Sequence, residues 1–177
     1  ETNFKRFLMI IKSSGFISNK LIRSQNALNF AYILYLKLKE LGVSDVKIGS
    51  YVPRWFVFSI LTGRYSSSPE SAFDFDIKQI ANKDFGQILS EYEEAELSDA
   101  FWNFSLPQSL DTSVASSPYF NVYLAAQVKA NDKGFLSKDV LVSNLIELRG
   151  DIHHLFPKDY LKKNGLERGM YNQIANY

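Results

Sequence analysis

Apolar residues spaced three and four apart run through most of this chain, and most runs have a serine or proline in front or a glycine behind. This pattern constrains the fold more than any other feature. A repeat of about 3.6 residues lays an apolar stripe along a helix, whereas a half-buried strand needs a repeat of two. Phe4, Phe7, Leu8 and Ile11 make the first stripe, over 2–12, and Ser13-Ser14-Gly15 breaks it. Ser18 or Asn19 can cap a long second helix that reaches residue 40, with Leu21, Ile22, Leu28, Ala31, Leu34 and Leu38 as its apolar set and Gly42 behind it. Pro53 stands where a helix over 54–61 can begin, since proline suits a first turn, and Gly63 stops it. Ser68-Pro69 heads a helix with Phe73, Ile77 and Ile80 on one face, and 84–97 is a glutamate-rich helical segment. Ser117-Pro118 opens an apolar helix through Val128, Asn131-Asp132-Lys133-Gly134 makes a turn, and Ser137 can cap a further helix that Gly150 closes.

Little else in the chain departs from this pattern. Pro107, the serines and the lack of periodicity predict a long surface loop over 105–117. Strand character is confined to 46–48 and 151–156. The expected fold is therefore mainly α, a multi-helix bundle or array over 1–149, followed by a compositionally different piece over 150–177. With 177 residues, 46% hydrophobic and 15% aromatic, the chain can build a sizeable core. A net charge of +1 announces no nucleic-acid partner by its global field. With no cysteine, disulfide scaffolds and thiolate metal sites are excluded, a cytosolic setting fits, and any metal must be held by His, Asp, Glu or Asn. No apolar run approaches the roughly 20 residues that span a bilayer, and no signal-peptide pattern is present. The chain opens on Glu1 rather than Met, from which it is expected to be an excised fragment with sequence missing at both ends.

The chemically pointed stretch is Gly150-Asp151-Ile152-His153-His154-Leu155-Phe156-Pro157-Lys158-Asp159-Tyr160, which holds both histidines of the chain. Histidine suits metal ligation and proton transfer near neutral pH. On an extended segment neighbouring side chains point to opposite sides, so the pair would not chelate one ion easily. It can instead divide labour, one ring on a metal and the other facing a water to be deprotonated, which is what a one-metal phosphodiesterase needs. The bland alternative is two histidines that fall at a turn, exposed or hydrogen-bonded, without chemistry.

The run from Asp151 to Gly165, followed by Tyr171-Asn172-Gln173-Ile174-Ala175-Asn176, resembles the opening of an HNH nuclease domain. More narrowly it resembles the C-terminal nuclease domain of GmrSD-type restriction endonucleases, with a signature like HHIFPK…L and then N-x-I-A-N. The stretch Arg54-Trp55-Phe56 through Leu61-Thr62-Gly63-Arg64-Tyr65-Ser66 and Ser68-Pro69-Glu70 resembles the helical region before that nuclease. The resemblance implies a short, incomplete ββα-metal segment at the C-terminus. It places His153 as metal ligand, His154 as general base and Asn176 as the asparagine that braces the hairpin. Asp151 and Asp159 are either carboxylates near the metal or solvated loop residues. Pro157 would end the strand and start a short helix over 158–163. The third site residue of the family, a His or Asn on the following helix, falls beyond Tyr177. The 177-residue chain is therefore expected not to cut DNA by itself and to bind metal weakly, with Mg2+ or Mn2+ serving the intact enzyme.

The resemblance also implies a bacterial restriction or phage-defence setting, DNA as substrate, and an upstream N-terminal domain of the same chain as partner. Lys158, Lys162, Lys163 and Arg168 are either phosphate contacts or a solvated helix face. Arg54, Trp55, Arg64 and Tyr65 could offer charge and stacking to a nucleic acid, but fit better as core and ion pairs. Glu91, Glu93, Glu94, Glu96 and Asp99 could meet a basic partner but fit better as a solvated helix face. No phosphate-cradling glycine motif is present. Two other functions stand beside the nuclease: a non-catalytic helical interaction module and a helical DNA-binding module.

Overall fold

A computed structural model of the chain describes residues 2–112, 117–135, 137–148 and 154–176. Its elements are α1 (Asn3–Ser13), α2 (Gln25–Glu40), α3 (Asp45–Thr62), α4 (Pro69–Asn82), α5 (Phe85–Glu96), α6 (Leu106–Leu110), α7 (Pro118–Ala130), α8 (Val142–Glu147), α9 (Lys158–Lys163) and α10 (Arg168–Tyr171). Short turns of 3-10 helix cover Asn19–Leu21 and Ile174–Asn176, and a π-helical turn covers Phe101–Ser105. The mainly α expectation holds, but the strand expected over 151–156, and with it the ββα segment, is not seen at 154–156, which form a bend; 151–153 lie outside the described residues. Among the described residues the only β pairing is an isolated antiparallel bridge between Lys133 and Leu141. No helix is long and apolar enough to cross a membrane among the described residues.

Local chemistry explains most helix boundaries. Thr2, Ser24, Ser44 and Asp84 each accept a backbone N–H of the first turn that follows them, which satisfies a donor the helix itself cannot. Gly63 ends α3 in the left-handed conformation, and Asn131 does the same for α7. Five sequence expectations about element boundaries need correction. Residues 46–48 form the first turn of α3, not a strand, because Ser44 and Asp45 supply a cap and an acidic first turn that the strand-like alternation of Val46 and Ile48 about Lys47 conceals. Pro53 lies inside α3 rather than at its start. The helix tolerates the missing N–H there because Ile48, Val52, Trp55, Phe56, Phe58, Ile60 and Leu61 are all buried around it. The second helix begins only at Gln25, since Ser18 caps the separate short turn and Ser24 caps α2. Ser137 caps no long helix: its hydroxyl accepts the N–H groups of Asp139 and Val140, and α8 starts later, at Val142. Helix also persists further than expected into the stretch read as a loop, through α6, because proline at a first-turn position does not interrupt it.

The core is aromatic and centred on α3. Helix α3 packs on α1, α2, α5 and α7, while α4 covers α2 and α5. Phe7, Phe30, Tyr35, Trp55, Phe56, Phe58 and Tyr65 are almost wholly buried. Their rings meet at centroid separations typical of favourable tilted and edge-on pairs, such as 4.9 Å for Phe16 with Phe56 and 5.2 Å for Trp55 with Phe58.

Within that core sits a polar network. Asp76, 1% exposed, accepts Arg64 through Nε at 2.8 Å and Nη2 at 2.5 Å, and accepts the Tyr65 hydroxyl at 2.7 Å. The Trp55 indole N–H donates to the Tyr65 oxygen at 2.9 Å. The Arg64 guanidinium lies 4.4 Å from the Tyr92 ring centroid and 5.3 Å from that of Trp55. Burial works against the Arg64 charge, but the hydrogen bond and charge of Asp76 outweigh it and hold its pKa above the ordinary value. Burial, reinforced by the negative Asp76, pushes the Tyr65 phenol well above the usual tyrosine range. A folded-state pKa above the unfolded one means stability that is full below about pH 10 and declines as the unfolded phenol ionises at higher pH. Urea melts between pH 9 and 11 should show that decline, with a shallower slope for Tyr65→Phe. Identical slopes would exclude the phenol as its source.

Candidate functional site

The segment 154–176 is short in helix and rich in side-chain bonds to backbone. Pro157 precedes α9, as expected, because it cannot donate to a turn and its fixed φ suits the residue before one. Gly165 follows with φ of 82°, reversing the chain toward α10. Asn176, 8% exposed, then closes the segment on itself. Its Oδ1 accepts the Phe156 N–H at 2.8 Å, and its Nδ2 donates to the Phe156 carbonyl at 3.3 Å and the Tyr171 carbonyl at 2.9 Å. The Asn176 carbonyl also accepts the Leu155 N–H at 2.6 Å. One buried side chain thus satisfies three backbone groups from two separate stretches.

His154, half-buried, stands two residues before the clamped Phe156. Its Nε2 lies 3.2 Å from Oδ1 of Asn172, which follows the clamped Tyr171. Tyr171 is buried, and the ammonium groups of Lys158 and Lys162 lie 5.5 and 5.7 Å from its ring centroid. The two lysines are four apart on α9 and so share a face. Lys163, Arg168 and Asp159 are exposed. Gly150, Asp151 and His153 lie outside the described residues, as does the expected boundary between 149 and 150. Among the described residues no three His, Asp or Glu side chains stand close enough to hold a metal ion.

The segment is docked on the helical body. The Ile174 N–H donates to the Thr112 carbonyl at 2.9 Å, and Gln173 Nε2 donates to Asp111 Oδ1 at 2.7 Å. Ile174 also lines an apolar cleft of about 490 Å³ with Val57, Leu61, Trp102, Phe120 and Tyr123.

No protein-family model, curated protein or solved structure matches the chain. What the site can do follows from its own geometry. A part-buried imidazole bonded to Asn172 is a group that can exchange a proton with water near neutral pH. The other nucleic-acid candidates are engaged elsewhere. Trp55 is 1% exposed, Arg54 pairs with Glu93, and Arg64 binds Asp76 and, at 3.4 Å, Glu96. Two glutamates of the acidic run therefore serve as internal counterions. Sequence reasoning missed Asn172, although an asparagine beside an aromatic and four residues before the bracing asparagine was a usable signal. It also missed Asp111 and Thr112, which lay in a stretch without periodicity.

Proposed function

We propose that this chain is the helical middle region and the opening of the HNH nuclease domain of a GmrSD-type, modification-dependent restriction endonuclease, whose intact form hydrolyses DNA phosphodiesters. The observation that carries this reading is the Asn176 clamp on Phe156, two residues past His154. An HNH turn needs an asparagine holding the loop that bears its base. In this reading His154 accepts a proton from the attacking water, the water oxygen bonds to phosphorus, and the phosphorus–oxygen bond to the sugar breaks. The departing oxygen takes its proton from solvent. Lys158 and Lys162, with Lys163 and Arg168, face the phosphate backbone. A divalent ion, Mg2+ or Mn2+, with His153 as its ligand, supplies charge neutralisation in the intact enzyme. The described residues alone do not build its site.

The reading requires the natural protein to continue past Tyr177 with a His or Asn on a helix, and a natural chain ending at Tyr177 overturns it. That longer protein, with Mn2+, should nick plasmid DNA, and His154→Ala should slow it by about 10²–10⁴-fold. Equal rates in the two proteins would sink the assignment. The 177-residue chain should leave the plasmid intact. A non-catalytic interaction module is the second reading, favoured by the half-open apolar cleft around Trp102, Phe120 and Ile174. It gains if the longer protein never cuts.

A further inference from the structure

Charge in this chain is segregated along the sequence. Between Glu1 and Glu40 stand seven lysines and arginines and no aspartate or glutamate, whereas from Glu70 to Asp111 ten acids stand against Lys78 and Lys83 alone. The net charge of +1 conceals both. The fold does not cancel one against the other. Arg54 pairs with Glu93, Arg64 with Asp76 and Glu96, and Lys78 with Asp74, so the paired acids of α4 and α5 draw their counterions from 54–78. Lys5, Lys12, Lys20 and Arg23 are exposed, and among the described residues none of the four pairs with a carboxylate. We propose that the α1–α2 stretch, from Lys5 to Lys39, is a docking surface for the phosphate backbone of duplex DNA. This rests on the nuclease reading only for the choice of DNA as the polyanion.

Packing gathers these cations. Helix α1 lies on α2 through Phe7, whose ring centroid is 6.1 Å from that of Tyr35, and the Lys39 ammonium stands 5.8 Å from the same Tyr35 centroid. Lys39 is therefore beside α1. On α1 itself Lys5 and Lys12 are two helical turns apart, so they share a face at a separation of about 10 Å. Lys20, in the 3-10 turn at Asn19–Leu21, and Arg23 stand just before α2 begins. The acid-rich α4 and α5 pack on each other, and α3 packs on both α1 and α5. Cations held together without acids repel one another, and a phosphate backbone relieves that repulsion while each neutralised phosphate releases a condensed counterion. A lipid surface fits less well, because Phe7 and Ile11, the apolar stripe that α1 would insert, are buried in the core.

Fluorescence anisotropy of a labelled duplex of about 20 base pairs, titrated with the 177-residue chain without divalent metal, reads this surface. Between about 50 and 200 mM salt the logarithm of affinity should fall against that of salt with a slope of about −3.6 or steeper, four phosphates at about 0.9 each. Lys5→Gln with Lys12→Gln should flatten the slope by about 1.8 and weaken binding by about 10-fold or more, and Lys20→Gln with Arg23→Gln should do the same. Lys78→Gln with Lys83→Gln removes the same net charge from the acidic side and should leave the slope unchanged. All six positions are exposed, so thermal melts should show each variant folded. No binding to the duplex, equal losses in the α1 and α4 pairs, or binding to phosphatidylserine vesicles or polyglutamate but not to the duplex overturns the inference. In the longer natural protein Lys5→Gln with Lys12→Gln should raise KM for plasmid nicking by about 10-fold with kcat little changed, whereas His154→Ala acts on kcat. If the duplex binds as stated but the longer protein never cuts, the nuclease reading fails and the surface stands. If the longer protein cuts and its KM ignores the pair, the surface fails and the nuclease reading stands.

Discussion

Asp76→Ala should be the most destabilising single-carboxylate change in this chain, lowering stability by about 3–5 kcal/mol. The side chain removed is the common acceptor for Arg64 and Tyr65, and it is 1% exposed. Its loss leaves a guanidinium whose remaining carboxylate partner is Glu96 at 3.4 Å, a buried phenol without its acceptor, and a small void. Set against a typical total of about 5–15 kcal/mol, that is a large fraction of the stability. For a chain of this size it corresponds to a fall in melting temperature of roughly 6–20 °C. Because the charge on Arg64 is the costly remnant, Arg64→Leu combined with Asp76→Leu should recover much of the loss. Urea melts of the single and double variants test this. A cost below about 1 kcal/mol for Asp76→Ala would mean that the network contributes little to holding α3 and α4 together.

That network also shows where sequence reasoning ran out. Periodicity placed Phe73, Ile77 and Ile80 on one face of α4, but nothing local marks Asp76 as different from Asp74, two positions away. Asp74 is paired with Lys78 on the surface, whereas Asp76 is in the core. The difference depends on where Arg64 projects, which is set by the left-handed turn at Gly63 and by the packing of α5, not by α4. The same limit explains 46–48. Two β-branched residues, Val46 and Ile48, alternating about Lys47 suit a strand, but Ser44 and Asp45 start a helix and Ile48 finds the core. The serines that cap α2 and α3, Ser24 and Ser44, were not legible, whereas the long apolar stripes of α1, α2 and α4 were, because that signal is local. In the C-terminal segment the short helix after Pro157 was legible for the same reason. The bond between His154 and Asn172 was not, because it joins residues 18 apart through a fold that periodicity does not encode.

Gly15→Ala should produce the second large loss, and its size separates two physical causes. Gly15 has φ of 99°, a conformation that an L side chain adopts at a cost of about 1–2 kcal/mol. A Cβ there would also lie 1.9 Å from the Ala125 carbonyl oxygen of α7, and a backbone oxygen in a helix cannot swing aside. Helix α7 or the end of α1 must move, which adds roughly 1–3 kcal/mol of overpacking strain. Gly42→Ala is the matched control, with φ of 72° and nothing within 4 Å of the added carbon. It should cost only the conformational part. Equal losses at the two positions in thermal melts would mean that the α1–α7 contact yields without penalty. If Gly15→Ala costs more, the displacement should also reach the candidate site. Phe120 of α7 and Ile174 of the C-terminal segment line the same cleft, so shifting α7 alters the surface on which that segment rests.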